Sequence, residues 1–540
     1  MMTRPLLHAL TRPDTLALAL EPQFFNTLSR TLEPLRLKTD GKVNMYVCGP
    51  TVYDDAHLGH ARCYMTWDVL FRWLCALGYE VTYARNVTDV DDKILKRAVE
   101  RGVTPQDIAE TYHQRFQEDM NALHVLPPTL EPKATEHIDV MHEGIQTLIE
   151  KGFAYPTPSG SVYFRVNHWQ AYCEADTHTC CHPYGHLSGK TLESLEAGAR
   201  VEPDPEKEHP LDFALWKSAS VQDGVYWRSP WGEAGRPGWH IECSAMNYAT
   251  FADQLDIHAG GADLMFPHHE NEIAQSEAWT GQRPYATLWM HNGFVNVEGE
   301  KMSKSLGNFT TVRGLLETFD ANTVRYFLLQ HHYRMPVDFN EQALTASRTR
   351  LSKLAQALLP EIDLNTFQVS LKELPLSFLT AMAQDMNTAQ ALGILNSQLK
   401  TLKHLNTHEE KIALKTSLLG CLVLLGFNVS AMATQFLGSN VTSDTRLEGT
   451  STGCLPDGTY QWVSSDPIPS TWPEALWPSI QEALKGLPEG LISLEEQQAL
   501  QDLPSLMRYR QQVRTEKRWE VADALRNVLA SSNVKVIDKK

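Results

Sequence analysis

The chain has 540 residues, which is too long for a single hydrophobic core and predicts two to four domains. Hydrophobic residues make up 42% and charged residues 21% of the sequence, as in ordinary soluble proteins. The formal net charge of −17 argues against a protein that coats nucleic acid with its whole surface, but it leaves room for RNA binding by a local basic patch.

Residues 1–24 contain three prolines and no sustained hydrophobic period, which predicts a loosely held extension without chemistry of its own. They also lack a basic region followed by a long apolar stretch and a small-residue cleavage site, so secretion is not expected. The sequence therefore predicts a cytoplasmic location.

The stretch from residue 43 to residue 79 predicts a strand, a tight turn and a helix. Apolar residues alternate at its start, Gly49 breaks the alternation, and apolar residues recur at helical spacing from Ala61 until Gly78. A second apolar strand, Val81–Val87, follows the helix. This order is that of a βαβ unit of the nucleotide-binding kind.

Two histidines, His57 and His60, lie where the predicted strand gives way to the helix. Free backbone N–H groups and the positive end of the helix dipole point at this position. An anion such as a nucleotide phosphate is therefore the expected occupant of the turn.

Three acidic residues, Asp89, Asp91 and Asp92, stand at the end of the second strand. Strand ends of such sheets face the ligand crevice, but charged residues at this position equally cap the next helix, and both interpretations stay open. Further helices are predicted from about Pro105 to Leu123 and from about Thr135 to Lys151.

A hairpin is predicted between Tyr155 and Val166, and a stretch rich in cysteine and histidine follows from Cys173 to His182. The stretch holds five potential metal ligands but no CxxC pair with a matching second pair, which favours a surface insertion over a zinc site. The nine cysteines of the chain lack a regular framework spacing, which predicts reduced thiols or metal ligands rather than disulfides.

Regular structure resumes at Gly238, and a short strand is predicted at Leu255–His258. Pro267 then opens a helix on which His268 and Glu272 lie four residues apart and share one face, as two ligands of one metal should. Alone, such a pair is more often a solvated side-chain contact. The spacing leaves open whether cysteines elsewhere in the chain join the pair.

A glycine-flanked loop from Glu298 to Asn308 contains Lys301 and Lys304 together with two serines and few large side chains. Such a loop suits a mobile clamp for polyphosphate, and a solvated turn is the alternative.

Beyond Asp320 the hydrophobic period becomes helical. Helices are predicted at Thr323–His332, Glu341–Leu358, Leu376–Leu405 and Glu409–Leu425. No apolar run in the chain reaches the ~18 residues that cross a bilayer, so no membrane partner is expected.

Residues 430–488 lose their period, which predicts a long and mostly irregular insertion. A last helical pair, about Ser493–Ser531, carries several arginines and Trp519. Such residues can hold single-stranded RNA by phosphate pairing and base stacking, and a plain solvated helix is the alternative.

Together these motifs resemble those of the class I aminoacyl-tRNA synthetases, and in particular the cysteine-specific family. His57-Leu58-Gly59-His60 matches the HIGH motif of that class with Leu for Ile, and Lys301–Ser305 is its KMSKS motif without change. The cysteine-specific resemblance rests on three further segments, Met45–Tyr53, Gly238–Met246 and Phe266–Gln275.

The resemblance implies an α/β fold, with a Rossmann-like parallel-sheet catalytic domain that carries an insertion, then an α-helical bundle and a small C-terminal anticodon-binding domain. The expected domains are an extension at 1–24, a catalytic domain at 25–320 with a connective insertion at about 124–235, a helical bundle at 321–430, an irregular insertion at 431–488 and anticodon-binding helices at 489–540.

In this family a zinc ion is held by residues that match Cys48, Cys243, His268 and Glu272. Zinc is thiophilic, so binding of the substrate thiol as a thiolate would separate cysteine from serine without an editing site. The family's positions around the cysteine substrate match Cys48, Thr51, Trp239 and His258.

The implied reaction has two steps: cysteine and ATP form cysteinyl-adenylate, and the cysteinyl group then passes to the 3' end of tRNA(Cys). His57 and His60 would stabilise the developing phosphate charge, while Lys301 and Lys304 would hold the departing pyrophosphate. Mg²⁺ is expected to accompany ATP. The positions that match ATP contacts are His57, Gly59, His60, Asp263, Lys301, Ser303 and Lys304.

By the same resemblance the C-terminal helices read the anticodon. The matching positions are Arg514, Trp519, Asp523 and Asp538. Residues 536–540 depart from the basic tail common in the family, so the details of anticodon contact are expected to differ. Members are often monomeric, and a monomer is expected.

Three other functions compete with cysteine–tRNA ligation. The long helical C-terminal region argues against a paralogue that joins cysteine to an amino sugar. Two intact phosphate-binding motifs argue against a non-catalytic RNA-binding protein, and the phosphate-binding lysines have no role in a zinc hydrolase. The sequence therefore predicts a ligase whose partners are ATP, L-cysteine and tRNA(Cys).

Overall fold

In the computed structural model of the chain, residues 20–437 are described apart from short gaps. The gaps are residues 176–180, 192–193, 195–203, 221–223, 253–254, 298–299, 302–309 and 365. The described residues outside this range are 10–11, 453–454, 460–463, 484, 506, 509–510, 518, 521–522, 524–525, 528–529 and 534–537. The chain divides into two units, one of Leu6–Leu437 and one of Met1–Pro5 with Gly438–Lys540.

The strands follow one another along the chain as β1 Leu10–Thr11, β2 Gln23–Asn26, β3 Thr31–Pro34, β4 Lys42–Val47, β5 Glu80–Arg85, β6 Ala154–Pro156, β7 Val162–Phe164, β8 Phe213–Ser218, β9 Trp227–Ser229, β10 Gly232–Pro237, β11 Ile257–Gly261, β12 Leu288–Asn292, β13 Val295–Val297, β14 Glu300–Lys301, β15 Val337–Phe339, β16 Val369–Ser370, β17 Gly453–Cys454, β18 Tyr460–Val463 and β19 Val534–Ile537.

The α-helices are α1 Leu58–Ala76, α2 Asp92–Arg101, α3 Pro105–Ala122, α4 Ile138–Glu150, α5 Val166–Ala175, α6 Trp239–Phe251, α7 Glu270–Thr280, α8 Val312–Leu316, α9 Ala321–Leu329, α10 Glu341–Leu358, α11 Leu376–Ala383, α12 Thr388–Leu402, α13 His408–Leu424 and α14 Val429–Leu437.

Four parallel strands in the order β12-β11-β4-β5 form the central sheet. Side chains alternate between the faces of a strand, so Val43, Met45 and Val47 enter one core while Tyr46 and Cys48 enter the other. The first core also contains α1 and the helices after residue 320, and the second contains α4, α6 and α7. The predicted α/β fold with a parallel sheet followed by helices is confirmed.

The helix after β4 starts three residues earlier than the apolar period predicts. Its first residue is Leu58, and His57 is the N-cap. The helix is buried on most sides, with both Trp67 and Trp73 fully enclosed in the first core. This enclosure explains why apolar residues occur around α1 more widely than on a surface helix.

The predicted hairpin between residues 155 and 166 is confirmed by the antiparallel pairing of β6 with β7. It belongs to a five-stranded antiparallel sheet in the order β6-β7-β8-β10-β9, which packs in the second core. The prediction of reduced thiols is wrong for one pair, because Cys173 and Cys181 form a disulfide. Their Cα atoms lie 5.2 Å apart, a separation that a disulfide spans.

The single helix predicted from Leu376 to Leu405 is wrong, because two helices, α11 and α12, occupy the segment. Between them Asp385 and Met386 adopt positive φ angles of 59° and 45°. The Asp385 carboxylate accepts hydrogen bonds from the Phe25 N–H at 2.9 Å and the Tyr333 hydroxyl at 2.6 Å. These tertiary contacts hold a backbone conformation that helical propensity opposes.

The two segments expected to be irregular contain regular structure among their described residues. In the N-terminal extension, β1 pairs in parallel with β16, and β2 begins before residue 25. Helix α14 extends into the predicted insertion at 431–488, and β18 of that insertion pairs with β19. The domain boundaries themselves stay a prediction.

Among the described residues, no single helix is both long and apolar enough to cross a bilayer. Helices α13 and α14 reach that length and composition only when joined, and they are bent by 115° relative to each other.

Candidate active site and metal centre

The structure brings the four predicted metal ligands together in one buried cluster. Cys48 follows β4, Cys243 lies in α6, His268 precedes α7, and Glu272 lies in its first turn. Their donor atoms all lie within 4.8 Å of one another, and all four side chains are buried. Three separate segments of the chain therefore meet at one point, which the spacing in the sequence could not show.

The distances within the cluster suit a tetrahedral metal site. The Cys48 Sγ lies 3.9 Å from the Cys243 Sγ and 3.6 Å from the Glu272 Oε1, and the His268 Nε2 lies 3.1 Å from the same oxygen. Ligands of a tetrahedral zinc ion, at ~2.0–2.3 Å from the metal, stand ~3.3–3.8 Å apart. The donor set of two sulfurs, one imidazole and one carboxylate is also one that zinc accepts.

The charges of the cluster are strongly coupled. Burial raises the pKa of the Cys48 thiol well above its ordinary value, whereas the hydrogen bond to Cys48 lowers the pKa of Cys243 to about 6. Burial opposes ionisation of Glu272, but His258 and His268 outweigh it and lower the pKa of this carboxyl to about 2. A divalent cation would relieve the repulsion that keeps both thiols from ionising together.

One polar atom beside the cluster is buried without a partner. Among the described residues, the Nδ1 of His258 is enclosed and makes no hydrogen bond. An unsatisfied buried polar atom costs about 1–3 kcal/mol, and such atoms are uncommon in folded proteins. Its position here fits a site that is completed by a bound ligand.

His269, which the sequence did not predict as a ligand, also lies in the cluster. With Cys48, His258 and Glu272 it forms a second group of donors that could hold a metal ion. Adjacent residues do not share a face of an ideal α-helix, so the helical period selected His268 alone. The segment Met265–His269 is not α-helical, and it turns both imidazoles into the core.

The residues predicted to surround the cysteine substrate lie next to the cluster of predicted metal ligands. The Trp239 ring stacks on the His268 ring with their centroids 4.2 Å apart, and the His258 Nε2 lies 2.9 Å from the Glu272 Oε2. A cavity of about 330 Å³ opens beside Trp239. Its lining residues are Thr51, Asp91, Asp92, Lys93, Ala214, Lys217, Trp239 and His240.

His57 and His60 form a reciprocal cap at the start of α1. The Nδ1 of His57 accepts from the His60 N–H at 3.3 Å, and the Nδ1 of His60 accepts from the His57 N–H at 3.2 Å. The two rings are stacked with centroids 3.8 Å apart and are half-buried, and Gly59 lies between them in the first turn. The pair stands at the N-terminus of a 19-residue helix, where anionic groups are favoured.

The segment after the KMSKS motif is attached to this turn. The Leu58 N–H donates to the Thr310 carbonyl at 3.0 Å, and the Val312 N–H donates to the Ala56 carbonyl at 2.8 Å. Of the motif itself, only the backbone of Lys301 is described, in β14, while Ser303 and Lys304 lie outside the described residues.

Asp263 lies just after β11, at the carboxyl end of the central sheet, and its side chain is exposed. This is the edge at which parallel α/β sheets bind ligands. The predicted anticodon residues Arg514, Trp519, Asp523 and Asp538 all lie outside the described residues.

Of the three acidic residues after β5, one caps the next helix and two line a cavity, while Asp89 accepts hydrogen bonds from Thr135. Asp91 caps α2 by accepting from the Lys93 N–H at 2.8 Å, and Asp92 forms ion pairs with Lys217 and Arg236. Asp91 and Asp92 also line the cavity beside Trp239.

Comparison with known proteins identifies the family. Residues 34–349 match the family described as tRNA synthetases class I (C) catalytic domain. The cysteine--tRNA ligase of Chromobacterium violaceum is 48% identical over 378 residues, which cover 69% of this chain and 78% of that protein. The chain belongs to the class I cysteine–tRNA ligase family. It is an enzyme that forms aminoacyl-tRNA, and the predicted resemblance is confirmed.

Other similar proteins agree. The cysteine--tRNA ligase of Nitratidesulfovibrio vulgaris strain Miyazaki F is 50% identical over 383 residues, which cover 69% of this chain and 76% of that protein. Mycobacterium tuberculosis methionyl-tRNA synthetase in complex with methionyl-adenylate has a similar fold, with a TM-score of 0.51 and 18% identity over 73% of this chain and 91% of that chain. At this identity the structural likeness supports the class I fold alone.

Proposed function

We propose that this synthetase joins L-cysteine to tRNA(Cys) in two steps. In the first step a carboxylate oxygen of cysteine attacks the α-phosphorus of ATP, and the bond from this phosphorus to the oxygen of the β-phosphate breaks. The products are cysteinyl-adenylate and pyrophosphate. In the second step a ribose hydroxyl at the 3' end of the tRNA attacks the carbonyl carbon, and AMP leaves. No side-chain nucleophile is needed, so the enzyme acts by positioning and electrostatics.

One observation carries the choice of cysteine, namely the convergence of Cys48, Cys243, His268 and Glu272 beside Trp239. A zinc ion held by these four residues would supply a soft cation that favours a thiolate over a hydroxyl. The residues of the chain would enclose the rest of the substrate, with Thr51, Trp239 and His258 around the amino acid. Because the site is buried, it would exclude the water that competes for the cation.

The nucleotide is proposed to lie at the start of α1. There His57 and His60 would stabilise negative charge on the α-phosphate, and Gly59 would let the backbone approach it. Asp263 would accept hydrogen bonds from the adenosine ribose. In this proposal Lys301, Ser303 and Lys304 hold the β- and γ-phosphates, and Mg²⁺ enters with ATP as part of the substrate.

The remaining predictions concern partners and location. Arg514, Trp519, Asp523 and Asp538 are proposed to contact the anticodon of tRNA(Cys), since cationic and aromatic side chains bind single-stranded RNA loops. The monomeric state and the cytoplasmic location also stay predictions.

The deciding experiment measures cysteine-dependent exchange between ATP and labelled pyrophosphate by the zinc-loaded protein, followed by charging of tRNA(Cys). Exchange with cysteine, little exchange with serine, and charging of the tRNA are the expected results. Absence of exchange would contradict the proposed activation of cysteine. Exchange without charging would instead favour a small acceptor such as an amino sugar.

A pair of histidine variants tests the nucleotide site in the same assay. His60→Ala removes one proposed charge-stabilising group, and exchange is expected to fall by about 10²–10³-fold, as for other preorganised donors. His404→Ala is the matched control because His404 is exposed in the loop after α12. Equal losses in the two variants would contradict the role of His60.

A further inference from the structure

A chain of buried hydrogen bonds leads from Thr27 to Cys48 through two histidines. The Thr27 Oγ1 lies 2.9 Å from the His291 Nδ1, and the His291 Nε2 lies 2.8 Å from the His269 Nδ1. The His269 Nε2 then lies 3.2 Å from the Cys48 Sγ. All four side chains are at most 9% exposed, so water does not compete for these contacts.

The chain of contacts has a definite direction if Cys48 is a metal-bound thiolate. A thiolate can only accept, so His269 must donate from Nε2 and therefore accept at Nδ1. His291 must then donate from Nε2 and accept at Nδ1. The last proton has to come from the hydroxyl of Thr27. One hydroxyl group thus fixes the tautomers of both imidazoles.

The Thr27 side chain is itself held in place by the fold. Its backbone N–H donates to the Trp289 carbonyl at 2.8 Å, which attaches the turn after β2 to the edge strand β12. His291 belongs to that same strand. Strand β12 therefore fixes the position of the Thr27 hydroxyl relative to His291.

The other histidines around the cluster show the same arrangement. The His258 Nε2 contacts the Glu272 Oε2 at 2.9 Å, and the His240 Nδ1 contacts the His268 Nδ1 at 3.0 Å. The His269 Nε2 lies 3.2 Å from the Cys48 Sγ and 3.9 Å from the Glu272 Oε1, so each of the three outer imidazoles makes its shortest contact with a different proposed ligand. Such contacts are typical of groups that orient metal ligands from outside the coordination sphere.

We propose that Thr27, His291 and His269 are positioning residues that orient Cys48 and donate a hydrogen bond to its thiolate. The inference rests on the proposed zinc site and deepens it. The hydrogen bond fixes the direction of the sulfur lone pairs and reduces the negative charge on the sulfur. Both effects change the strength of the bond between Cys48 and the metal, and therefore how readily the metal binds a second thiolate.

The test replaces Thr27 by valine, which keeps the shape of the side chain and removes the hydroxyl proton that His291 would accept. Zinc affinity is measured by competition with a chelator, and the absorption of the cobalt-substituted protein reports the sulfur-to-metal bonds. Thr27→Val is expected to weaken zinc binding by about 10-fold, near the lower end of the range for lost outer partners, and to shift the sulfur-to-cobalt absorption. Thr27→Ser keeps the hydroxyl and is expected to restore both properties.

A second variant keeps the inference testable if Thr27→Val is poorly folded. His291→Phe removes the middle of the chain of contacts while keeping a ring, and alone it is expected to weaken zinc binding by about 10-fold and to shift the sulfur-to-cobalt absorption. Unchanged zinc affinity and absorption in a folded His291→Phe protein would overturn the inference. Where Thr27→Val also folds, the double variant His291→Phe/Thr27→Val is expected to lose no more zinc affinity than His291→Phe alone. Additive losses, or an unchanged affinity and spectrum in Thr27→Val, would overturn the inference. Failure of the unmodified protein to bind zinc would instead contradict the proposed zinc site on which it rests.

Discussion

At the scale of single residues, Cys48 joins the two halves of the site. Its Sγ lies in the cluster of proposed metal ligands, while its carbonyl oxygen accepts a hydrogen bond from the Tyr64 hydroxyl of α1 at 3.2 Å. Its backbone N–H donates to the Ala259 carbonyl of β11 at 3.2 Å. Because α1 starts at the histidine pair, this one residue sets the position of the proposed thiol site relative to the proposed nucleotide site.

The first prediction at this scale concerns Cys243→Ser. The hydroxyl is a poorer ligand for zinc than a thiolate, so the variant is expected to lose most of its zinc on dialysis and its preference for cysteine over serine in pyrophosphate exchange. In the cobalt-loaded protein the sulfur-to-metal absorption is expected to fall to about half, since one of two sulfur ligands is removed. Zinc content is measured by elemental analysis.

Cys75→Ser serves as the control for this variant, because Cys75 lies in α1 and is not a member of the cluster. It is expected to keep zinc and activity. If Cys243→Ser retained zinc and the full sulfur-to-cobalt absorption, the second donor group with His258 and His269 would become the better assignment.

At the scale of elements, local pattern was sufficient where the chain follows one rule over many residues. The alternation in β4 predicted which of its side chains share a face, and Pro105 predicted the start of α3, in which it is the first residue and Thr104 is the N-cap. The helix Glu341–Leu358 was predicted at its observed bounds for the same reason.

Local pattern failed where distant contacts decide the conformation. The break before α12 depends on hydrogen bonds that the Asp385 carboxylate accepts from β2 and from the segment after α9. Both donors are far from Asp385 in sequence. The position of His269 depends on the irregular segment before α7, and the disulfide of Cys173 depends on its approach to Cys181 in the fold. The convergence of Cys48 with Glu272 came from the family resemblance, since no periodicity relates residues so far apart.

A glycine at the end of β4 gives the prediction at this scale. The Gly49 N–H donates to the Asn86 Oδ1 at 2.7 Å, and a Cβ at residue 49 would lie 1.6 Å from the Asn86 carbonyl oxygen. Gly49→Ala must therefore displace the turn that follows Cys48. We expect a lower thermal midpoint and a loss of pyrophosphate exchange of about 10²-fold, the usual effect of a misplacement near 1 Å.

Gly393→Ala is the matched control. Gly393 lies on the exposed side of α12, and a Cβ there would meet nothing within 4 Å. The change is expected to stabilise the protein by up to about 1 kcal/mol because alanine is the better helix former. Normal exchange in Gly49→Ala would show that the turn tolerates displacement and does not control the site.

At the scale of the whole molecule, a buried ionic network connects the proposed active site with the helices that follow the sheet. The Asp68 carboxylate of α1 accepts from Arg72 at 3.0 Å and from Arg325 of α9 at 2.7 Å, and Arg325 also donates to the Leu123 and His124 carbonyls. Burial disfavours the charged form of Asp68, but the two guanidinium groups outweigh it and lower the pKa of this carboxyl. Breaking such a network leaves uncompensated buried charge, so α1 and α9 are expected to remain together.

The division of the chain after Leu437 leads to the last prediction. The unit Leu6–Leu437 contains both halves of the proposed site and the ionic network of α1, whereas the proposed anticodon residues all follow residue 437. A chain truncated after Leu437 is therefore expected to keep pyrophosphate exchange within about threefold of the full chain, a change of less than 1 kcal/mol. Its kcat/KM for charging tRNA(Cys) is expected to fall by about 10²-fold or more, since each lost base contact is worth about 1–3 kcal/mol. Zinc content and thermal midpoint, measured beside the full-length protein, show whether the truncated chain is folded, and unchanged charging by a folded truncated chain would place tRNA selection before residue 437.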